Sequence, residues 1–139
     1  MRSACFLDTN VLIYAATAKK DHPRKFAIAA RIVESEHFGV SGQVLAEFYV
    51  RVLTKPKIQL PQADAEQWVE LLCKYPVAAV DDTLVRQGIA YSQRYQISYW
   101  DAAIIAAAER LEAPILYTED LNHNQLYGSV RVVNPFRNS

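Results

Sequence analysis

The sequence predicts an α/β fold: a three-layer α/β/α sandwich on a five-stranded, mostly parallel sheet. Three observations lead there. Short apolar runs recur along the chain, each of strand length. Longer stretches with apolar residues at helical spacing separate them. Glycines and prolines number only 4 and 6 and are scattered, so no linker divides the 139 residues, and one domain over 1–139 is expected.

Residues 4–7 are an apolar run that reads as a buried first strand. Asp8-Thr9-Asn10 follows, then a short helix over 11–14. His22-Pro23 opens a helix to about residue 36, with Phe26, Ala29, Ala30 and Val33 as its stripe. Residues 38–40 form a weak second strand. Ser41 is a natural N-cap for a helix over 43–53, which Lys55-Pro56-Lys57 breaks. Pro61 suits the first turn of the next helix, whose stripe is Ala65, Trp68, Val69 and Leu72. A third strand is expected over 77–80. Asp81 or Asp82 then caps a helix to residue 95, and Ser98 caps another over 99–111 that Pro114 ends. Residues 115–117 form a fourth strand, 118–128 a polar loop and 130–133 a fifth strand.

The 15 basic residues balance 15 acidic ones, and half the chain is hydrophobic. That supports a real core and excludes the strongly basic surface of a general nucleic-acid coat. A nuclease remains compatible, because a carboxylate-rich site cancels positive charge elsewhere. The 2 cysteines, Cys5 and Cys73, form no C-x-x-C. Both are expected to be buried and reduced, which points to the cytoplasm. The N-terminus lacks a signal-peptide pattern, and no apolar stretch approaches the length of a membrane span.

In open α/β sheets, sites form beyond the carboxyl ends of the strands. Asp8 directly follows the first strand and Asp120 lies in the loop leaving the fourth. Glu47 sits early in the helix after the second strand, and Asp101 in the first turn of the helix that feeds the fourth. Each has a simpler reading. Asp8 would cap the next helix, Glu47 would pair with Arg51 four residues on, Ser98 and Asp101 have capping-box spacing, and Asp120 would close an Asx-turn. Those readings do not account for all four falling on one sheet edge. Clustered carboxylates repel, and a divalent cation removes the conflict. With no His or Cys among them, they select Mg²⁺ or Mn²⁺ over zinc, a site suited to phosphodiester cleavage.

The chain resembles the PIN-domain family, and more narrowly the VapC-type toxins of toxin–antitoxin pairs. The matching segments are Phe6-Leu7-Asp8-Thr9-Asn10-Val11-Leu12, residues 41–47, Tyr99-Trp100-Asp101-Ala102-Ala103-Ile104 and Leu116-Tyr117-Thr118-Glu119-Asp120-Leu121, with Val132-Val133-Asn134-Pro135-Phe136 at the end. The resemblance implies that Asp8, Glu47 and Asp101 are core acids and Asp120 a fourth, with Glu119 the alternative. It implies that Asn10 and Thr118 are polar residues orienting the acids or bound waters. It further implies Mg²⁺ or Mn²⁺ as cofactor, an RNA substrate, homodimerisation and a small antitoxin partner.

Two basic groups, one of Lys19, Lys20, Arg24 and Lys25 and one of Arg51, Lys55 and Lys57, are candidates for RNA phosphates, against the simpler reading of solvated surface. Tyr14, Tyr99, Trp100 and Tyr127 are candidates for base stacking, against core packing. His22, His37 and His123 read as surface residues, His123 being nearest the site. Two other functions compete. A phosphate-receiving switch needs adjacent acids after the first strand and a lysine after the last, and neither is present. A non-catalytic PIN-like interaction module would use its acids for structure alone.

Overall fold

The computed structural model describes residues 2–137. Six strands form one sheet: β1 (Cys5–Leu7), β2 (Phe38–Ser41), β3 (Val77–Ala78), β4 (Ile115–Tyr117), β5 (Leu126–Tyr127) and β6 (Val130–Val133). The order is β3-β2-β1-β4-β6-β5. All neighbours are parallel except β5, which returns antiparallel along β6. The helices are α1 (Thr9–Thr17), α2 (Pro23–Ser35), α3 (Gly42–Thr54), α4 (Gln62–Leu72), α5 (Asp82–Tyr95) and α6 (Tyr99–Arg110), with a 3-10 turn at Pro56–Ile58.

The strand order explains the layering. From β1 the chain steps outward to β2 and then β3, and it returns past β1 to β4 and on to β6. Right-handed crossovers place α1–α4 on one face and α5–α6 on the other. The direction reverses between β1 and β4, a topological switch point, where a crevice opens beyond the strand ends.

Side-chain caps set the starts of α3, α5 and α6. Ser41 Oγ accepts from Val44 N at 3.2 Å, Asp81 Oδ1 from Leu84 N at 2.9 Å and Ser98 Oγ from Asp101 N at 3.1 Å. Each satisfies a helix-start N–H that has no partner within its helix. Asp81 is also gripped by both guanidinium nitrogens of Arg110, at 2.9 and 3.1 Å, which lowers its pKa. The core is continuous, with Phe6, Leu7, Leu12, Phe38, Phe48, Leu72, Ile105, Leu116 and Tyr127 fully buried. No helix among the described residues is long and apolar enough to cross a membrane.

Three expectations need correction. The sheet has six strands, not five, because Leu126–Tyr127 pairs with β6 inside the stretch read as a polar loop. The Gly128-Ser129 pair between two apolar residues was the available signal, since a two-residue Gly-Ser connection is a hairpin turn. Cys73 is exposed, whereas Cys5 is buried. Leu72 carries the buried stripe to the end of α4, and the next residue is turned about 100° around the axis, out of the core. Tyr127, a stacking candidate, is buried core.

Candidate active site

The end of β1 delivers Asp8 to the switch point. Its backbone N–H donates to Tyr117 O at 3.1 Å, tying it to the end of β4. The side chain is 9% exposed and uses both oxygens. Oδ1 accepts from Thr9 N at 2.7 Å, which caps α1. Oδ2 accepts from Thr118 Oγ1, also at 2.7 Å. The capping role read from sequence is therefore real, and it leaves the second oxygen for the loop after β4. Thr118 is itself fixed by its own N–H, which donates to Val133 O at 3.1 Å, and its Oγ1 accepts from Asp120 N at 3.1 Å.

Asp8, Glu47, Asp101 and Asp120 line one cleft of about 220 Å³, together with Asn10, Gln43, Arg51, Trp100 and Ile104. Asn10 Nδ2 reaches Asp120 Oδ2 in a long contact of 3.5 Å. Gln43 Nε2 donates to Glu47 Oε1 at 3.1 Å and to Trp100 O at 3.3 Å, joining the start of α3 to the start of α6. Arg51 pairs with Glu47 at 3.5 Å, as the i,i+4 spacing suggested, and also donates to Asn10 Oδ1 at 2.9 Å. Ser98 caps α6 through the Asp101 N–H, but the Asp101 carboxylate lines the cleft.

The acids load one another. Burial pushes the Asp8 pKa up to about 6 against the lowering bonds from Thr118 and Thr9, and the charges of Asp120 and Glu47 push the same way. Asp120 is raised by burial and then by Asp101 and Glu119, with Arg51 pulling down.

Glu119, the alternative to Asp120, faces elsewhere. It accepts from Tyr14 Oη and pairs with Lys25 at 3.2 Å, while the Tyr14 ring packs edge-on to Phe136. Lys25 is thus an internal ion-pair partner rather than one of a free basic group, and Tyr14 takes the packing role weighed for it in the sequence. His123 Nδ1 accepts from Asn134 N at 3.0 Å and pins the C-terminal segment. Trp100 is 65% exposed at the cleft and remains an accessible ring.

The donor set fits a hard divalent cation in kind: carboxylate oxygens, with no His or Cys lining the cleft. As the side chains lie, no three His, Cys, Asp or Glu among the described residues stand close enough together to grip one ion. The arrangement is a cleft of mutually repelling acids partly offset by Arg51.

This fold is that of a known class. The chain belongs to the PIN domain family, whose model matches residues 5–128. Among solved structures it is similar to VapC20 of Mycobacterium tuberculosis, a toxin that cleaves the sarcin-ricin loop: 19% identity, TM-score 0.67, covering 84% of this chain and 89% of that one. It is similar to a toxin–antitoxin complex from Klebsiella pneumoniae, with 18% identity, TM-score 0.68 and coverage of 94% and 97%. FitAcB from Neisseria gonorrhoeae gives 20% identity, TM-score 0.61 and coverage of 96% and 99%. At these identities the likeness establishes the fold. No curated protein matches the sequence.

Proposed function

We propose that this chain, as one domain over 1–139, is a metal-dependent endoribonuclease, the toxin of a toxin–antitoxin pair. Asp8, Glu47, Asp101 and Asp120 hold Mg²⁺ or Mn²⁺, supported by Asn10 and Thr118. One observation carries the reading: four acids from distant parts of the sequence line one cleft at the switch point of the sheet. The toxin and toxin–antitoxin structures that share the fold support it.

When bound, the ion polarises a phosphoryl oxygen and makes water a better nucleophile at neutral pH. The protein's part is positional. Thr118 and the Thr9 N–H hold Asp8 in one orientation. Asn10 and the Thr118 hydroxyl hold Asp120. Gln43 holds Glu47 against the start of α6.

A small antitoxin and a second copy of the chain are the protein partners that go with this reading. Val80 and Trp100, 53% and 65% exposed, offer apolar surface beside the acids. The buried free thiol of Cys5 fits a reducing compartment, the cytoplasm.

The test is digestion of RNA by purified wild type and Asp8→Asn with Mg²⁺, Mn²⁺ or excess chelator. Metal-dependent cleavage lost in a folded Asp8→Asn supports the proposal. Cleavage that persists in chelator sinks it. A folded protein that binds a partner, takes up no metal and cuts no RNA supports a non-catalytic PIN-like interaction module instead, the reading favoured by the Glu47–Arg51 pair.

A further inference from the structure

Arg51 stands at the junction of two concavities. On one side is the acid cleft, where it is the only cationic residue in the lining. On the other is a larger groove of about 730 Å³ between α1 and the end of α3. That groove is lined by Arg51, Lys55 and Lys57 with Ile13, Tyr14 and Ile58, and by no acid. Only Arg51 and Asn10 belong to both linings. The two concavities thus have opposite charge and meet at one guanidinium.

The contacts of Arg51 divide in the same way. Nη2 faces Glu47 Oε2 at 3.5 Å in a half-exposed i,i+4 pair, a kind of pair that holds weakly. Nη1 donates to Asn10 Oδ1 at 2.9 Å. A guanidinium offers five N–H donors in a fixed fork, so it can keep Asn10 and exchange Glu47 for another anion. A divalent cation held by the four acids weakens the hold of Glu47 on Arg51, because it draws on the same negative charge and repels the guanidinium. A cation freed from Glu47 at this place borders a groove already carrying two lysines, charge suited to phosphates.

We propose that Arg51 is a two-position counter-ion: paired with Glu47 it neutralises the acid cleft of the free protein, and once a divalent cation takes the acids it turns to an RNA phosphate in the Lys55–Lys57 groove. The inference rests on the ribonuclease reading and makes Arg51 an RNA-binding residue whose release couples metal uptake to RNA binding.

The experiment measures Mn²⁺ binding by calorimetry without RNA, for wild type, Arg51→Gln and Arg51→Lys. It then measures the affinity of a nuclease-resistant phosphorothioate single-stranded RNA with Mn²⁺ and with chelator. Removing a positive charge beside the acids should tighten Mn²⁺ in Arg51→Gln by roughly 3- to 10-fold. The same variant should bind the RNA roughly 3- to 10-fold more weakly with Mn²⁺, and near wild type in chelator. Arg51→Lys, which keeps the charge, should hold Mn²⁺ close to wild type. Any charge fixed beside the acids would oppose the metal in this way, so the loss of RNA affinity confined to Mn²⁺ is the readout that a purely structural arginine would not move. Mn²⁺ binding unchanged or weakened in Arg51→Gln, or RNA affinity that is unaffected or falls equally with and without Mn²⁺, overturns the inference and leaves the nuclease reading standing. A wild type that takes up no Mn²⁺ overturns both.

Discussion

Thr118 Oγ1 donates to Asp8 Oδ2 at 2.7 Å, and the same oxygen accepts the Asp120 N–H at 3.1 Å. The hydroxyl has one proton, and the Asp8 carboxylate takes it; the lone pairs are left for the backbone of the neighbouring acid. One buried side chain thereby orients the carboxylate that follows β1 and fixes the backbone that carries the acid in the loop after β4, the strand paired with β1.

Thr118→Val keeps the shape and removes the hydroxyl. It strands Asp8 Oδ2 and the Asp120 N–H, and an unmade bond to a buried charged group costs about 1–3 kcal/mol. Chemical denaturation at pH 7.5 should show that loss, and Thr118→Ser should restore most of it. The Thr118 bond also lowers the Asp8 pKa, so the acid limb of the cleavage pH profile should move up in the valine variant. A profile that stays in place would mean that Asp8 does not control that limb.

Asp8 itself opposes folding when ionised. Its pKa is about 6 in the folded protein against a usual 3.8, burial being the chief cause. The native state therefore holds the proton more tightly than the unfolded chain. Its contribution to stability is complete below about pH 4 and is lost as the pH rises toward 6, by at most about 3 kcal/mol for a gap of roughly two pH units. Asp8→Asn, in chelator at pH 7.5, should melt higher than wild type by several degrees, and the difference should vanish near pH 4. Metal should stabilise wild type and leave the asparagine variant unmoved. A variant that melts lower at pH 7.5 would show that the bonds from Thr9 and Thr118 outweigh the burial.

Much of this was legible in the sequence because strand ends mark themselves. Asp8 and Thr118 each follow an apolar run, and the site forms where those runs stop. Caps at Ser41, Asp81 and Ser98 were readable for the same local reason. What escaped depends on contacts between elements. Arg51 has an obvious partner four residues before it and a second, Asn10, that only the approach of α1 to α3 supplies. Glu119 and Asp120 are neighbours in the chain, but their surroundings separate them: Tyr14 and Lys25 take one, the cleft the other. β5 is two residues long, too short for its alternation to stand out from a polar stretch.

That separation gives a direct test of the fourth acid. Asp120→Asn should lower cleavage by at least the roughly 10- to 100-fold that losing a ligand's hydrogen-bond partner costs at a metal site. Glu119→Gln removes the part-buried pair with Lys25 and keeps an acceptor for Tyr14. It should cost about 1–3 kcal/mol of stability and leave cleavage per folded molecule near wild type. The two variants are compared under saturating Mn²⁺ with stability measured alongside. The reverse ranking would assign the fourth position to Glu119.

The far edge of the sheet offers a change that should spare the site. Gly128 turns the β5–β6 hairpin at φ +57°, a conformation that costs a residue with a Cβ about 1–2 kcal/mol. An alanine Cβ there would also lie 2.5 Å from Tyr91 Oη and 2.8 Å from Glu109 Oε2. Those two atoms hold the turn: Tyr91 donates to Glu109, and Glu109 accepts from Ser129 N at 3.1 Å and Ser129 Oγ at 2.8 Å. Gly128→Ala therefore strains the backbone and displaces this network, a combined loss of about 2–4 kcal/mol. Thermal unfolding should show a drop well beyond that of an ordinary surface substitution. The acids lie at the carboxyl ends of β1 and β4, whereas Gly128 precedes the start of the parallel strand β6. Cleavage per folded molecule at low temperature should then stay near wild type. If it falls in step with the melting temperature while the protein remains folded, the hairpin is coupled to the cleft through β6, and the two ends of the sheet do not act independently.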